Sequence, residues 1–415
     1  MALREAAGQA DVAAGPVALA VAGGVAREGV QSVDALGGDG HASGFAAPAL
    51  ASSGNLNARP AVPLPVRALN YLELAGPVER SGIATAAAQQ RRALADAGVD
   101  VVTSPWAAGG PLRSLAGAAA GRPVLPEVDV AHLHLFGPGS VAAMRAAHRA
   151  DTPVVAHAHT LAENTVGSWR GVEHLAGPLR RYLRWFYASA DLVCCPTNYA
   201  ADLLADYPVG TPTRVLTGGV DRESLEGFEA FREEYRERYG LEGFVPFAVG
   251  NVFERKGLTT FCRLAQETDY EFAWFGPYDT GPIASRAVKR WTSDPPENVT
   301  FTGWVEEKRG MFAAGDALCF PAKEETQGLV VLEAMACGKP VVLRDIPVFE
   351  EQFEHGHDCL LCADRGEFRD ALDSLAEDPE LRERLGENAR ETAAEHDLDR
   401  MGERLAGIYR DLAGD

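Results

Sequence analysis

From Val66 onward the chain alternates short apolar runs with amphipathic stretches, and it does so in two successive series. That rhythm constrains the fold most, because a strand that must lie parallel to its predecessor needs a crossover, usually a helix. The first series predicts strands at 66–71, 100–103, 128–134, 153–157, 192–195 and 213–216, with helices over 83–97, 139–149, 176–189 and 198–206. A charged segment, 228–239, is expected to bridge the two series as a helix. The second series predicts strands near 246–250, 271–275, 299–301, 317–320, 340–343 and 359–362, and a closing helix over 398–413. The expected class is α/β, and 415 residues suffice for two domains, each with its own core. No internal repeat or heptad interrupts the pattern.

The first 65 residues read differently. They hold 18 Ala and 10 Gly and show no sustained period, so they are expected to be disordered or not to belong to the protein. Valine can be encoded by an alternative start codon, and the abrupt change in composition leads to the expectation that translation begins at Val66. An intact mass for natively expressed protein beginning near Met1 would contradict that. The apolar stretch 17–25 is preceded by Glu5 and Asp11 and makes a poor secretory signal.

Charge excludes one class of partner. The net charge is −20, and only five of the 39 basic residues are lysines, so the surface repels nucleic acid and suits a salt-rich cytoplasm such as a halophile's. Arginine bias has a second source, a GC-rich genome. Seven cysteines without disulfide-like spacing indicate a reducing compartment. Cys359 and Cys362 form a C-x-x-C pair with no second pair or histidine cluster near it in sequence, and read as small apolar residues on a buried strand.

The chemistry concentrates at Glu325-Thr-Gln-Gly-Leu-Val-Val-Leu-Glu333. Gly338 stops a helix and Pro340 precedes a strand, so Glu325 falls in the loop before that helix and Glu333 a turn or more inside it. The free N–H groups between them seat a phosphate. A carboxylate on each side can accept hydrogen bonds from sugar hydroxyls, which is the chemistry of a nucleotide-sugar site.

This stretch resembles the E-x7-E signature of retaining glycosyltransferases of family 4, which have the GT-B architecture of two Rossmann-like domains facing across a cleft. The resemblance extends from about Val66 to the C-terminus. It takes in Arg80-Ser-Gly-Ile83, His157-Ala-His-Thr160, Gly218-Gly-Val-Asp221, Phe253-Glu-Arg-Lys-Gly257 and Gly303-Trp-Val305. Val252–Gly257, Glu324–Gly328 and Arg344–Phe349 look closer still to one branch, the glycolipid synthases that glucosylate diacylglycerol. It implies an acceptor domain over 66–221, a linker over 222–243 and a nucleotide-sugar domain over 244–396. It also implies that residues 397–415 form a helix that crosses back onto the N-terminal domain.

The resemblance also implies roles. Glu333 holds the ribose and Glu325 the hexose, while Thr326, Gln327, Gly328 and Leu329 offer backbone N–H groups to the diphosphate. Gln327 replaces a common aromatic, and Asn251 stands where relatives often carry arginine. Arg255 and Lys256 neutralise the diphosphate as the sugar bond breaks. Gly82, after Ser81, brings the N-terminal domain close to the diphosphate; Gly303-Trp304 lies against the base or is an ordinary turn. His159 lies near the transferred sugar, His157 is structural, and Glu163 lines the acceptor side. The one Asp-x-Asp, Asp397-Leu-Asp399, stands outside these loops and does not resemble the metal motif of the other nucleotide-sugar fold, and metal-independent chemistry without a cofactor is expected, the UDP-sugar being a substrate.

Helix 176–189 has two readings. Leu179, Leu183 and Phe186 share a face that can pack on the sheet, or Arg180, Arg181, Arg184 and Trp185 meet anionic lipid. Arg286, Lys289, Arg290 and Trp291 form a weaker cluster of the same kind. The expected function is transfer of a hexose, glucose from UDP-glucose, to a diacylglycerol or archaeal dialkylglycerol hydroxyl, by a cytoplasmic enzyme peripheral on the inner face of the cell membrane. The alternatives are a polyprenyl-linked or soluble glycan as acceptor, a nucleotide-sugar epimerase, or a sugar-nucleotide-binding protein without catalysis.

Overall fold

The computed structural model describes residues 65–73, 80–105, 125–165, 168, 170–171, 174–207 and 209–414. The expectations for the first 64 residues lie outside these. The described chain builds two sheets, each of six parallel strands. The first runs β2-β1-β3-β4-β5-β6, from β1 (Arg67–Tyr71), β2 (Asp100–Val102), β3 (Val130–Leu133), β4 (Val154–His157), β5 (Leu192–Cys195) and β6 (Thr213–Val215). The second runs β12-β11-β10-β7-β8-β9, from β7 (Pro246–Val249), β8 (Phe272–Phe275), β9 (Val299–Gly303), β10 (Ala317–Phe320), β11 (Val341–Arg344) and β12 (Leu360–Cys362). Central strands are buried on both faces, as parallel sheets covered by helices require.

In the second sheet the order reverses between β7 and β10. A crevice opens outside the strand C-termini at such a switch point, and ligands of doubly wound sheets bind there. The loops leaving β7 and β10 carry Arg255, Lys256 and Glu325. The first sheet reverses between β1 and β3, whose C-terminal ends lead to Glu73 and His134.

The bridging segment is not one helix. Gly227 takes a left-handed conformation, a 3₁₀ turn follows over Phe228–Phe231, and an α-helix occupies only Arg232–Tyr239. It ends at left-handed Gly240, as helix C-termini commonly do. Tyr235 packs into the core of the second sheet, and a Cβ on Gly310 would meet its ring at 2.2 Å.

The closing helix, Leu398–Ala413, returns to the first sheet and packs against the helix Gly82–Asp96. Gly402 permits this: a Cβ there would lie 2.6 Å from the backbone oxygen of Ala93. Its inward residues Met401, Leu405 and Tyr409 are buried with Val130, Val155 and Leu192. One apolar face of the first sheet is thus finished by the last residues of the chain.

Candidate active site

The loop after β7 forms a 3₁₀ turn over Glu254–Lys256, and Gly257 (φ 83°) starts the helix Leu258–Glu267. Only glycine fits there, since a Cβ would meet the carbonyl oxygen of Pro321 at 2.1 Å, and the positive φ is strained for other residues. Lys323 N–H donates to the Arg255 carbonyl at 2.7 Å, tying this loop to the one after β10. The result sets Lys256 Nζ against Glu325 Oε2 in direct contact, with Arg255 3.8 Å from the same oxygen.

Both partners of that pair are nearly out of solvent. Burial raises the proton affinity of Glu325, but Lys256 and Arg255 outweigh it and hold the carboxyl below its ordinary value. Burial lowers the Lys256 ammonium, and Glu325 offsets that only in part. Lys256 therefore loses its charge at lower pH than an ordinary lysine. We expect turnover to fall on the alkaline side earlier than a solvent-exposed lysine would allow, and Lys256→Arg to remove that limb because guanidinium stays charged. A kcat/KM profile of the two proteins measures this.

Glu333 lies in the helix Leu329–Ala336, mostly buried, with Lys308 Nζ 3.3 Å from its Oε1. Several helices here carry a side-chain N-cap: Ser81, Thr197, Ser285, Asp364, Asp378 and Asp397 each accept from a first-turn N–H. The helix 329–336 follows Gly328 and has no side-chain cap. Its N-terminal donors stand between Glu325 and Glu333, where an anion complements them.

Residues from the first sheet close the site from the other side. Arg255 Nε donates to Ser168 Oγ at 2.9 Å, and Arg170 N–H to the Ile283 carbonyl at 2.9 Å. Thr197 Oγ donates to the Thr326 carbonyl at 2.9 Å, and Thr326 Oγ lies 3.4 Å from the His159 carbonyl. The side chain of Gln327 pairs with both backbone groups of Gly218, at 3.1 and 3.0 Å. It fastens the chain segment joining the two sheets, a task a phenyl ring could not perform. The carboxylate of Glu351 accepts from the N–H groups of Asn198 and Tyr199 at the start of the helix Asn198–Ala205.

The sequence-predicted residues fall in three groups. Lys256, Arg255, Glu325, Gln327, Gly328 and Leu329 come together, His159 adjoins them through Thr326, and Glu333 stands one turn along the helix. Gly82 is exposed at the start of its helix; Arg80 stacks over Trp304 with its guanidinium carbon 5.6 Å from the ring centroid, so these two loops face each other. Gly303 ends β9 and accepts from Gly276 N–H at 3.0 Å. Arg181, Arg184 and Trp185 are exposed on the helix Ala176–Ala188, whose Leu183, Phe186 and Tyr187 are buried, so one helix serves both readings. Arg180 lies over the Tyr207 ring, 3.7 Å from Glu163, which accepts from the Tyr207 hydroxyl. The second basic-aromatic cluster is corrected: Trp291 is buried, donates to Thr259 Oγ at 3.1 Å, and presents no aromatic to solvent.

Sequence reasoning missed a histidine array. His132 ends near the top of β3 with His134 just beyond it, and His157 ends β4 with His159 just beyond it. The register aligns Leu133 with Ala156, so the two-residue period brings all four rings to one face. They stack, with centroids 4.0 Å apart for His157–His159 and 4.5 Å for His132–His134. The repeated His-x-His, once in each of two consecutive strands, was the signal available. Burial drives all four well below the ordinary histidine value, His132 and His159 to about 3.

Nitrogens of His132, His134 and His157 lie within 4.8 Å of one another, the one such grouping among the described residues. These nitrogens are committed to hydrogen bonds: His132 to His157 at 3.3 Å and to Tyr409 at 2.6 Å, and His134 to Asn70 at 3.0 Å.

The family profile described as Glycosyltransferase Family 4 matches residues 83–224, and that described as Glycosyl transferases group 1 matches residues 231–392. The chain is similar to a processive diacylglycerol alpha-glucosyltransferase of Acholeplasma laidlawii, 26% identical over 354 residues, covering 84% of this chain and 98% of that protein. It is similar to an alpha-galactosylglucosyldiacylglycerol synthase of Streptococcus pneumoniae, 27% identical, covering 58% of this chain and 67% of that one. Among solved structures, Anabaena HepE in complex with UDP and glucose superposes with a TM-score of 0.66 at 18% identity, over 83% of this chain and all of that one. With one profile on each sheet domain and the paired glutamates at the switch point of the second, the chain belongs to the family-4 glycosyltransferases of GT-B fold.

Proposed function

We propose that this protein transfers a hexose from a nucleotide sugar, UDP-glucose, to a glycerolipid hydroxyl with retention of configuration. The observation that carries the donor half is the Lys256–Glu325–Arg255 cluster beside an uncapped helix N-terminus at the β7/β10 switch point. In this reading the diphosphate sits at the N-terminus of helix 329–336. Arg255 and Lys256 neutralise charge as the bond from sugar to phosphate breaks, and Glu325 accepts hydrogen bonds from the hexose hydroxyls. Glu333 takes the ribose, and Trp304 with Arg80 bounds the base. A leaving-phosphate oxygen takes the acceptor proton on the same face, so no carboxylate nucleophile is needed. Two cations and a helix terminus supply the positive charge, so the reaction is read as metal-independent, and EDTA leaves its rate unchanged.

The acceptor half rests on similarity to two glycolipid-forming enzymes and on helix Ala176–Ala188. No helix among the described residues is long and apolar enough to cross a membrane. Contact with lipid is therefore read as peripheral, through exposed Arg181, Arg184 and Trp185. Each arginine near an anionic surface contributes about 1 kcal/mol, so the triple variant Arg181→Gln, Arg184→Gln, Trp185→Ala should bind anionic vesicles at least about tenfold more weakly.

The test incubates the full chain with labelled UDP-glucose and vesicles of diacylglycerol and anionic phospholipid. Label entering the lipid phase is the expected result. UDP release without lipid labelling would remove the glycolipid acceptor and keep the transferase. Absence of both, with other nucleotide sugars also inert, would overturn the donor assignment.

A further inference from the structure

We propose that His134 is a positioning residue that fixes the tautomer of His159, leaving His159 Nδ1 as a bare acceptor for a sugar or lipid hydroxyl. The inference rests on the reading of His159 as a cleft residue. It starts from Asn70 at the end of β1, whose Oδ1 lies 3.0 Å from His134 Nε2. A carbonyl oxygen only accepts, so His134 Nε2 carries the proton. With His134 buried and neutral, its Nδ1 is then a bare lone pair. That lone pair lies 3.0 Å from His159 Nε2, which must supply the hydrogen. A neutral His159 protonated at Nε2 has no proton at Nδ1.

The surroundings hold this chain in place. His157 stacks on His159 with an interplanar angle of 13°, and His132 ties His157 to the Tyr409 hydroxyl. His132, His134 and His157 are buried, whereas His159 is partly accessible. Its Nε2 faces inward to His134, and Nδ1 is the nitrogen left for a ligand. The consequence is chemical: His159 accepts a hydrogen bond and donates none through its ring. It can orient a hydroxyl by accepting its hydrogen bond but cannot act as a general acid. Tyr409 belongs to the closing helix, so the last helix of the chain braces a residue of the cleft.

The test is long-range ¹H–¹⁵N correlation of the full chain labelled at histidine, with His159 signals assigned by their loss in His159→Gln. The expected wild-type pattern is the tautomer protonated at Nε2. His134→Phe keeps a stacked ring and removes both nitrogens. It should mix the His159 tautomers and lower kcat about 10–100-fold, with KM for the donor within about twofold. Asn70→Leu, which frees the other end of the relay, should do the same should His134→Phe fold poorly. His159 protonated at Nδ1 in the wild type, or an unchanged pattern in both variants, would overturn the relay. Mixed tautomers with unaltered kcat would overturn the positioning role. Wild-type turnover in His159→Gln would instead refute the cleft reading, and the spectra would still report the relay.

Discussion

Lys256→Met is expected to lower kcat about 10²–10³-fold, the range seen when a fixed electrostatic group is removed from where charge develops. The variant should also be less stable, because Glu325 is left mostly buried, its nearest cation Arg255 at 3.8 Å and a single backbone N–H, that of Thr326, donating at 3.3 Å. Removing one partner of a buried ion pair costs about 3–5 kcal/mol. The double variant Lys256→Met, Glu325→Gln takes away the orphaned charge, and its melting temperature should recover while its activity does not. That split separates a catalytic role from a structural one. Recovery of turnover along with stability in the double variant would show that the pair only holds the two loops together.

Acid should destabilise the protein well before its carboxylates titrate. His132, His134 and His157 are buried, and burial keeps them neutral in the folded state. Among the described residues their neighbours offer no carboxylate to favour the charged form: Asn70 and the Tyr409 hydroxyl are hydrogen-bonded to the array, the Tyr409 proton is held more tightly than usual, and Arg91 disfavours a charge on His134. The folded values lie below the unfolded one, so as pH falls the unfolded chain takes up protons first. The stabilisation is whole above about pH 6.5 and is lost progressively below it. Each histidine contributes about 1.4 kcal/mol per pH unit once the unfolded chain is protonated, roughly 4 kcal/mol per unit for the three. The roughly 6 kcal/mol lost by pH 5 unfolds a protein at the low end of the ordinary stability range of about 5–15 kcal/mol and weakens one at the high end. Denaturant melts between pH 7.5 and 5.5 measure it, and His157→Gln should lower the proton uptake by one. A flat stability over that window would contradict the buried neutral array.

Much of this was legible in the residues, and the exceptions have physical causes. Strand positions followed from the two-residue and helical periods, and the terminal helix 398–413 matches its predicted bounds. The bridging helix 228–239 was misjudged because its periodicity carries no sign of the left-handed Gly227 that forces a 3₁₀ turn first. Trp291 was misjudged because a short basic helix shows its charges to the reader but not which side meets Phe261 and Trp274 in the core. The paired glutamates and Lys256 could be singled out because loop, helix start and strand are written locally. Pairing of Lys256 with Glu325 spans 69 residues and comes from the sheet order β7–β10, which one sequence does not display. The histidine array needed the β3–β4 register, and Tyr409 needed the return of the last helix. The side-chain role of Gln327 was hidden for the same reason: its partner, Gly218, lies 109 residues earlier.

In the proposed reaction a hexose passes to a lipid with retention at a site built on Glu325 and Lys256. The most direct measurement is the anomeric proton of the glucolipid formed from UDP-α-glucose and diacylglycerol, followed by NMR in parallel for the wild type and Lys256→Met. An α-linked product is expected from the wild type and about 10²–10³-fold less of the same product from the variant. A β-linked product, or equal yields from both proteins, would contradict the proposed reaction.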